Sequence, residues 1–183
     1  MAAIFISFIH EEGKYAEAVQ AFITQILGTE AKPFLSSDQM QVYAGEKWLE
    51  RIMDELKTAK IVILMLSKKS VQRPWVNFEA GAAWTRDIVT IPICFKDLRK
   101  GELPKPYSSL QAVDLSSYGD DEYLAISVAH HLGIEKPITR MRAAVSALGG
   151  EEYRRKCEII ALAYDRLQDE LKKLNGESVN SPD

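Results

Sequence analysis

Trp75 and Glu79 stand four residues apart in a stretch that opens with Arg73-Pro74 and reads as a helix, so an indole and a carboxylate share one helical face. An aromatic surface that keeps water from a carboxylate raises its pKa, and a carboxylate fixed in place stabilises positive charge developing nearby. Taken alone, a helical glutamate is more often a solvated charge and a tryptophan more often core. Trp48 and Trp84 read as core. Ser67 and Ser70 read as turn caps rather than nucleophiles, because no histidine lies near them in sequence to activate them. His10 follows the first apolar run, a place suited to phosphate, although an exposed loop histidine is the plainer reading. His130 and His131 read as a helix end. No glycine-rich phosphate loop is present. Cys94 and Cys157 fall outside any CxxC spacing, which argues against a disulfide framework and against a metal site.

The elements that must position these residues alternate. Ile4-Phe5-Ile6-Ser7-Phe8 is short, β-branched and aromatic, and reads as a buried strand. Tyr15, Ala18, Val19, Phe22, Ile23, Ile26 and Leu27 then recur at helical spacing until Gly28 stops the helix. A weak strand is expected near residues 31–35, against the bias of Pro33. Residues 36–46 read as a long loop, and Trp48, Ile52 and Leu56 as a helix. Ile61 to Leu66 is the clearest strand in the chain. Pro74 suits the first turn of the next helix, where a missing N–H costs little. Val89 to Phe95 is a fourth strand, with Pro92 pointing to an edge or an irregularity. A short fifth strand is expected near Ala112-Val113, and a helix from about Glu122 to Leu132.

Strands alternating with helices imply right-handed crossovers and a doubly wound, flavodoxin-like parallel sheet of five strands, ending near residue 134. Ligands of such sheets bind at the carboxyl ends of the strands, by the switch in strand order. Three segments fall there: Phe8 to Glu12, the loop 36–46, and Ser67 to Glu79.

The chain has 183 residues, 46% of them apolar, enough for one sizeable core. Lys and Arg total 23 against 26 Asp and Glu. That mild acidity argues against nucleic acid as the main partner. No segment reads as a signal peptide or a membrane span, so no membrane partner is expected and a reducing cytoplasm is the expected home.

With the elements placed, the motifs resemble those of TIR domains. Ile4 to Phe8 is similar to the family's opening strand. Asp38 to Trp48, with Ala44-Gly45-Glu46-Lys47 inside it, is similar to the loop between the second strand and second helix. Ile61 to Ser67 is similar to the third strand and its terminal serine. Trp75-Val76-Asn77-Phe78-Glu79 resembles the Trp-x-x-x-Glu signature of TIR domains that cleave NAD. The likeness covers residues 1–134. Many members carry Ser two residues before the tryptophan and Cys after it, where this chain has Arg73 and Val76. An Asp often follows their first strand, where this chain has His10, Glu11 and Glu12.

The resemblance implies that Glu79 is catalytic and that NAD is a substrate, with no further cofactor. Nicotinamide leaves NAD already cationic, so no general acid is needed and one carboxylate suffices, unlike ordinary glycosides with their two. Phe8 or Tyr43 would stack on a ligand ring, Arg73 or Lys47 would meet the pyrophosphate, Trp75 would shield the carboxylate, and His10 and Ser67 lie at the strand ends. Short TIR proteins of this kind resemble those of bacterial antiphage systems such as Thoeris, where a cyclised product signals to an effector protein. Hydrolase and cyclase share the first bond cleavage and are not separated by the sequence. The alternative is a non-catalytic TIR adaptor that acts by self-association, and the presence of Glu79 counts against it. A receiver-like domain is disfavoured because the third strand ends in Ser67 rather than an aspartate.

Beyond residue 134 the pattern changes. Pro137 breaks the chain and Gly149-Gly150 punctuate it. Tyr153, Cys157, Ile160, Tyr164, Leu167, Leu171 and Leu174 step by four and three, a heptad-like seam that Ile159 and Leu162 widen. Residues 135–175 are therefore expected as a helical extension, packed on its own domain or mediating self-association, and residues 176–183 as a tail. Deleting residues 150–183 is expected to change the oligomeric state. An unchanged mass by light scattering would instead favour packing within one chain.

Overall fold

The structure, a computed structural model, describes residues 3–28, 31, 33–37, 48–117 and 119–135. All of the expected extension at 135–175 except Glu135, the expected tail at 176–183, and Tyr43 and Lys47 lie outside the described residues.

Ile4–Phe8 forms β1 and Ile61–Leu66 forms β3, with every residue of both buried. Continuous burial with no alternation marks strands covered on both faces, as parallel strands are. Pro33–Ser37 forms β2, Val89–Cys94 forms β4 and Val113–Asp114 forms β5. Among the described residues these make one parallel sheet in the order β2-β1-β3-β4-β5. Gly13–Leu27 (α1), Trp48–Thr58 (α2), Pro74–Trp84 (α3) and Asp120–Leu132 (α4) connect and flank the strands.

The order follows from handedness. Right-handed crossovers place a helix on one face when the chain moves one way and on the other face when it reverses. The chain steps from β1 out to β2 through α1, then back past β1 to β3 through α2. Consequently α1 and α4 pack together against one face. On the other, Phe5, Val62, Leu64, Leu66 and Cys94 form one core with Ile52 and Leu56 of α2 and with Val76, Ala80 and Ala83 of α3. The reversal lies at β1, whose carboxyl end is therefore left between diverging connections.

Both strand prolines occupy tolerated places. Pro33 is the first residue of the edge strand. Pro92 lies in an interior strand, yet β5 pairs only with Ile93 and Cys94, so β4 is locally an edge at the proline. β2 runs two residues beyond the expected strand, because Ser36 and Ser37 continue the ladder beside Ser7 and Phe8. α4 starts two residues earlier than expected, at Asp120, whose carboxylate accepts the Asp114 N–H at 2.7 Å and ties the helix start to β5. Among the described residues, no helix is long and apolar enough to cross a membrane, and no cluster of three His, Cys, Asp or Glu is placed to hold a metal ion.

Gly28 ends α1 at φ 82°, ψ −173°, a conformation in which only glycine is at ease, and its N–H reaches the Thr24 carbonyl. Gly28→Ala is expected to destabilise the protein by about 1–3 kcal/mol, read as a lowered urea midpoint at unchanged slope.

Candidate functional site

Helix α3 starts at the carboxyl end of β3 and runs back over the sheet. Val76, Ala80 and Ala83 form its buried stripe, and Glu79 falls on that stripe, with no solvent exposure. A carboxylate there must be hydrogen-bonded to remain tolerable. The Ser36 hydroxyl, fully buried near the end of β2, donates to Glu79 Oε1 at 2.7 Å. Ser36 pairs in register with Ser7 of β1. Neighbouring positions in a parallel ladder project to the same face, and Ser7 and Ser36 follow Phe5 and Phe34, whose rings meet with centroids 5.7 Å apart. Ser7 is also fully buried, and its Oγ has no hydrogen-bond partner among the described residues. Three polar groups from β1, β2 and α3 thus share one level of an otherwise apolar layer. Sequence reasoning located Glu79 but missed both serines. The readable signal was a serine at an inward strand position two residues after a phenylalanine.

Trp75, one turn before Glu79, is half-buried against the same core and stacks on Phe78 with ring centroids 5.4 Å apart. Phe78 is one of the exposed large apolar residues, so the pair forms an aromatic ledge on the outer side of α3. The helix start is braced from below. Asn77 Nδ2 donates to the Arg73 carbonyl at 3.0 Å and to the Val71 carbonyl at 3.3 Å. The buried Tyr107 hydroxyl donates to Asn77 Oδ1 in a short hydrogen bond. Burial raises the Tyr107 pKa, so the phenol keeps this proton.

The remaining strand-end residues separate into two groups. Phe8 is buried, its ring 3.4 Å from where a Cβ on Gly13 would sit. His10, Glu11 and Glu12 form a 3-10 turn after β1. His10 is exposed and Glu12 is buried. Glu12 accepts from Ser67 Oγ at 3.0 Å and pairs with Lys96 Nζ at 3.4 Å. Ser67 Oγ also accepts the N–H groups of Lys69 and Ser70, and Ser70 Oγ accepts the Ser67 N–H and donates to the Met65 carbonyl. These serines stitch the β3–α3 turn, a local role such side chains favour. Arg73 pairs with Glu11 at 2.7 Å while remaining partly exposed. The structure thus brings Trp75 and Glu79 onto one helix, and Phe8, His10, Ser67 and Arg73 to the ends of β1 and β3.

A five-stranded parallel sheet in the order 2-1-3-4-5, with helices on both faces and a buried carboxylate beside its reversal point, defines an α/β domain of flavodoxin-like architecture. The profile of the TIR domain family matches residues 4–127, and the chain belongs to that family. Among solved structures, it is similar to a metazoan TIR-STING receptor from C. gigas in complex with 2′,3′-cGAMP, at 19% identity and TM-score 0.50, over 75% of this chain and 40% of that one. It also matches the TIR domains of the activated Roq1 resistosome directly recognizing the pathogen effector XopQ, at 10% identity and TM-score 0.41, over 80% of this chain and 82% of that one. The chain thus spans well under two thirds of the TIR-STING receptor, and the likeness is one of fold. No curated protein matches.

Burial is the largest influence on the Glu12 carboxyl and raises its pKa, against the opposing effects of Ser67 and Lys96. A raised carboxyl favours the neutral form in the folded state. Its contribution to stability is present below the ordinary carboxylate range and is lost as pH rises through the folded pKa. Glu12→Gln cannot ionise, so its urea midpoint is expected to fall less than that of the parent between acid and neutral pH.

Proposed function

We propose that this TIR domain cleaves the nicotinamide–ribose bond of NAD and that Glu79 is its catalytic carboxylate. The observation that carries the reading is the Glu79 side chain, fully buried on the inner face of α3 and hydrogen-bonded to Ser36 at the carboxyl end of the sheet. A charge is seldom placed there for stability alone, since an apolar residue would pack better.

In the proposed reaction the electrons of the C1′–N bond leave with the nicotinamide ring and neutralise its positive charge. Positive charge appears at the anomeric carbon and ring oxygen of the ribose. The Glu79 carboxylate stabilises it and holds the ribose hydroxyls, a preorganised electrostatic effect. Water then adds to give ADP-ribose and a proton, or a nucleophile of the same molecule closes a ring to give a cyclic product. Trp75 limits water around the carboxylate, Phe8 or Tyr43 stacks on a ligand ring, Arg73 or Lys47 contacts the diphosphate, and His10 and Ser67 line the strand ends. Glu79 has no exposure in the state described, so substrate entry requires its cover to move.

The biological setting proposed is bacterial antiphage defence of the Thoeris kind, in the cytoplasm, with a cyclic product passed to an effector protein. Residues 1–134 form the enzyme, self-association acts through this domain, and the extension at 135–175 either packs on its own domain or adds to that self-association. The alternative is a non-catalytic adaptor working through TIR–TIR contacts, against which the presence of Glu79 counts.

The test is purified protein with NAD at low and high protein concentration, with products resolved by chromatography and mass. Nicotinamide release is expected, falling by at least about 10²-fold in Glu79→Gln. Undiminished release in a folded Glu79→Gln protein would remove the catalytic assignment, and no release at any concentration would favour the adaptor.

A further inference from the structure

The two glutamates after β1 have opposite surroundings. Glu12 is locked beneath the surface by Ser67 and Lys96, with 3% exposure. Glu11 stands at the rim, and its Oε1 alone receives both Lys69 Nζ at 2.9 Å and Arg73 Nη2 at 2.7 Å. All three side chains remain accessible, at 34% for Glu11, 52% for Lys69 and 40% for Arg73. Lys68 is not part of this group. Its N–H goes to Asp97 and its ammonium lies 3.6 Å from Glu102.

Two cations on one carboxylate oxygen leave an excess positive charge. Among the described residues Glu11 engages only Nη2 of Arg73, and a guanidinium offers five N–H donors in a shape suited to phosphate oxygens. Arg73 immediately precedes α3, six positions before Glu79, and Lys69 lies in the turn between β3 and α3. The backbone of Arg73 is held in place by Asn77 and, through it, Tyr107.

We propose that Lys69 and Arg73 form the diphosphate subsite of this domain and that Glu11 occupies it in the resting chain, as an intramolecular competitor that the substrate displaces. The inference rests on the NAD reading above and adds to it a second cation and a built-in brake. Exposed ion pairs are weak and exchange readily, so Glu11 yields to a ligand that carries more charge and more acceptor oxygens. The hydrogen bond from Lys69 holds the Glu11 carboxyl below its usual range, with further help from Arg73, so the competitor is ionised at neutral pH.

The test is calorimetric titration of inorganic pyrophosphate into the full chain, the Glu11→Gln variant and the Arg73→Ala variant, with circular dichroism confirming the fold of each. Glu11→Gln is expected to bind about fivefold tighter than the parent, with affinity falling as salt rises, and Arg73→Ala to bind more weakly than the parent. Affinity unchanged in Glu11→Gln, or undiminished in Arg73→Ala, would overturn the proposal. Nicotinamide release measured on the same proteins keeps the two readings apart. Tighter pyrophosphate binding without NAD cleavage supports the subsite and removes the NAD reading. NAD cleavage without tighter binding keeps that reading and removes the subsite.

Discussion

A carboxylate taken out of water must be met by donors, and the hydrogen bond from Ser36 to Glu79 is where this fold meets part of that demand. The two residues lie on different elements, an edge strand and a helix that follows the next strand. The contact therefore requires that β2 lie beside β1 in the observed register, that the chain reverse at β1, and that α3 descend over the sheet with Glu79 turned inward. A one-residue slip of β2 would turn Ser36 to the α1 face and take its hydroxyl away from Glu79. The apolar layer of Phe5, Leu64, Val76 and Ala80 supplies the rigidity that makes this polar contact specific.

Around that point the charges are sorted by depth. Glu79 and Glu12 are buried, Glu79 accepting from the Ser36 hydroxyl and Glu12 held by the Ser67 hydroxyl and Lys96. Glu11 is at the rim and is held by cations. Depth decides what each can do. Buried, hydrogen-bonded carboxylates keep fixed positions, whereas an ion pair in water exchanges partners at little cost. Lys96, at φ 57°, brings its ammonium over the Tyr15 ring and against Glu12 from the end of β4. The carboxyl ends of β1, β3 and β4 are thereby tied together beneath the rim.

Much of the fold was legible in the amino-acid order. β1 and β3 are unbroken apolar runs because parallel strands are buried on both faces, and α1 stops at Gly28 because few other residues adopt its backbone conformation. Pro74 at the first turn of α3 was equally readable. Pro92 was harder. Alone it argued for an edge, and only the shortness of β5 shows how an interior strand can be an edge over part of its length. The extension of β2 through Ser36 and Ser37 was hidden because two serines carry no strand pattern, and they are recruited by the ready-made edge of β1.

The site divides in the same way. The sequence by itself determined that an indole and a carboxylate share a helical face and that this helix follows the third strand, since both depend only on spacing along one element. Tertiary structure decided the rest. It chose Glu79 for burial and Ser36 as a donor to it, it separated Glu12 from Glu11, and it set Arg73 and Lys69 on one carboxylate oxygen. Those outcomes depend on distances between elements far apart in the chain, and periodicity within a single element carries no record of what packs against it.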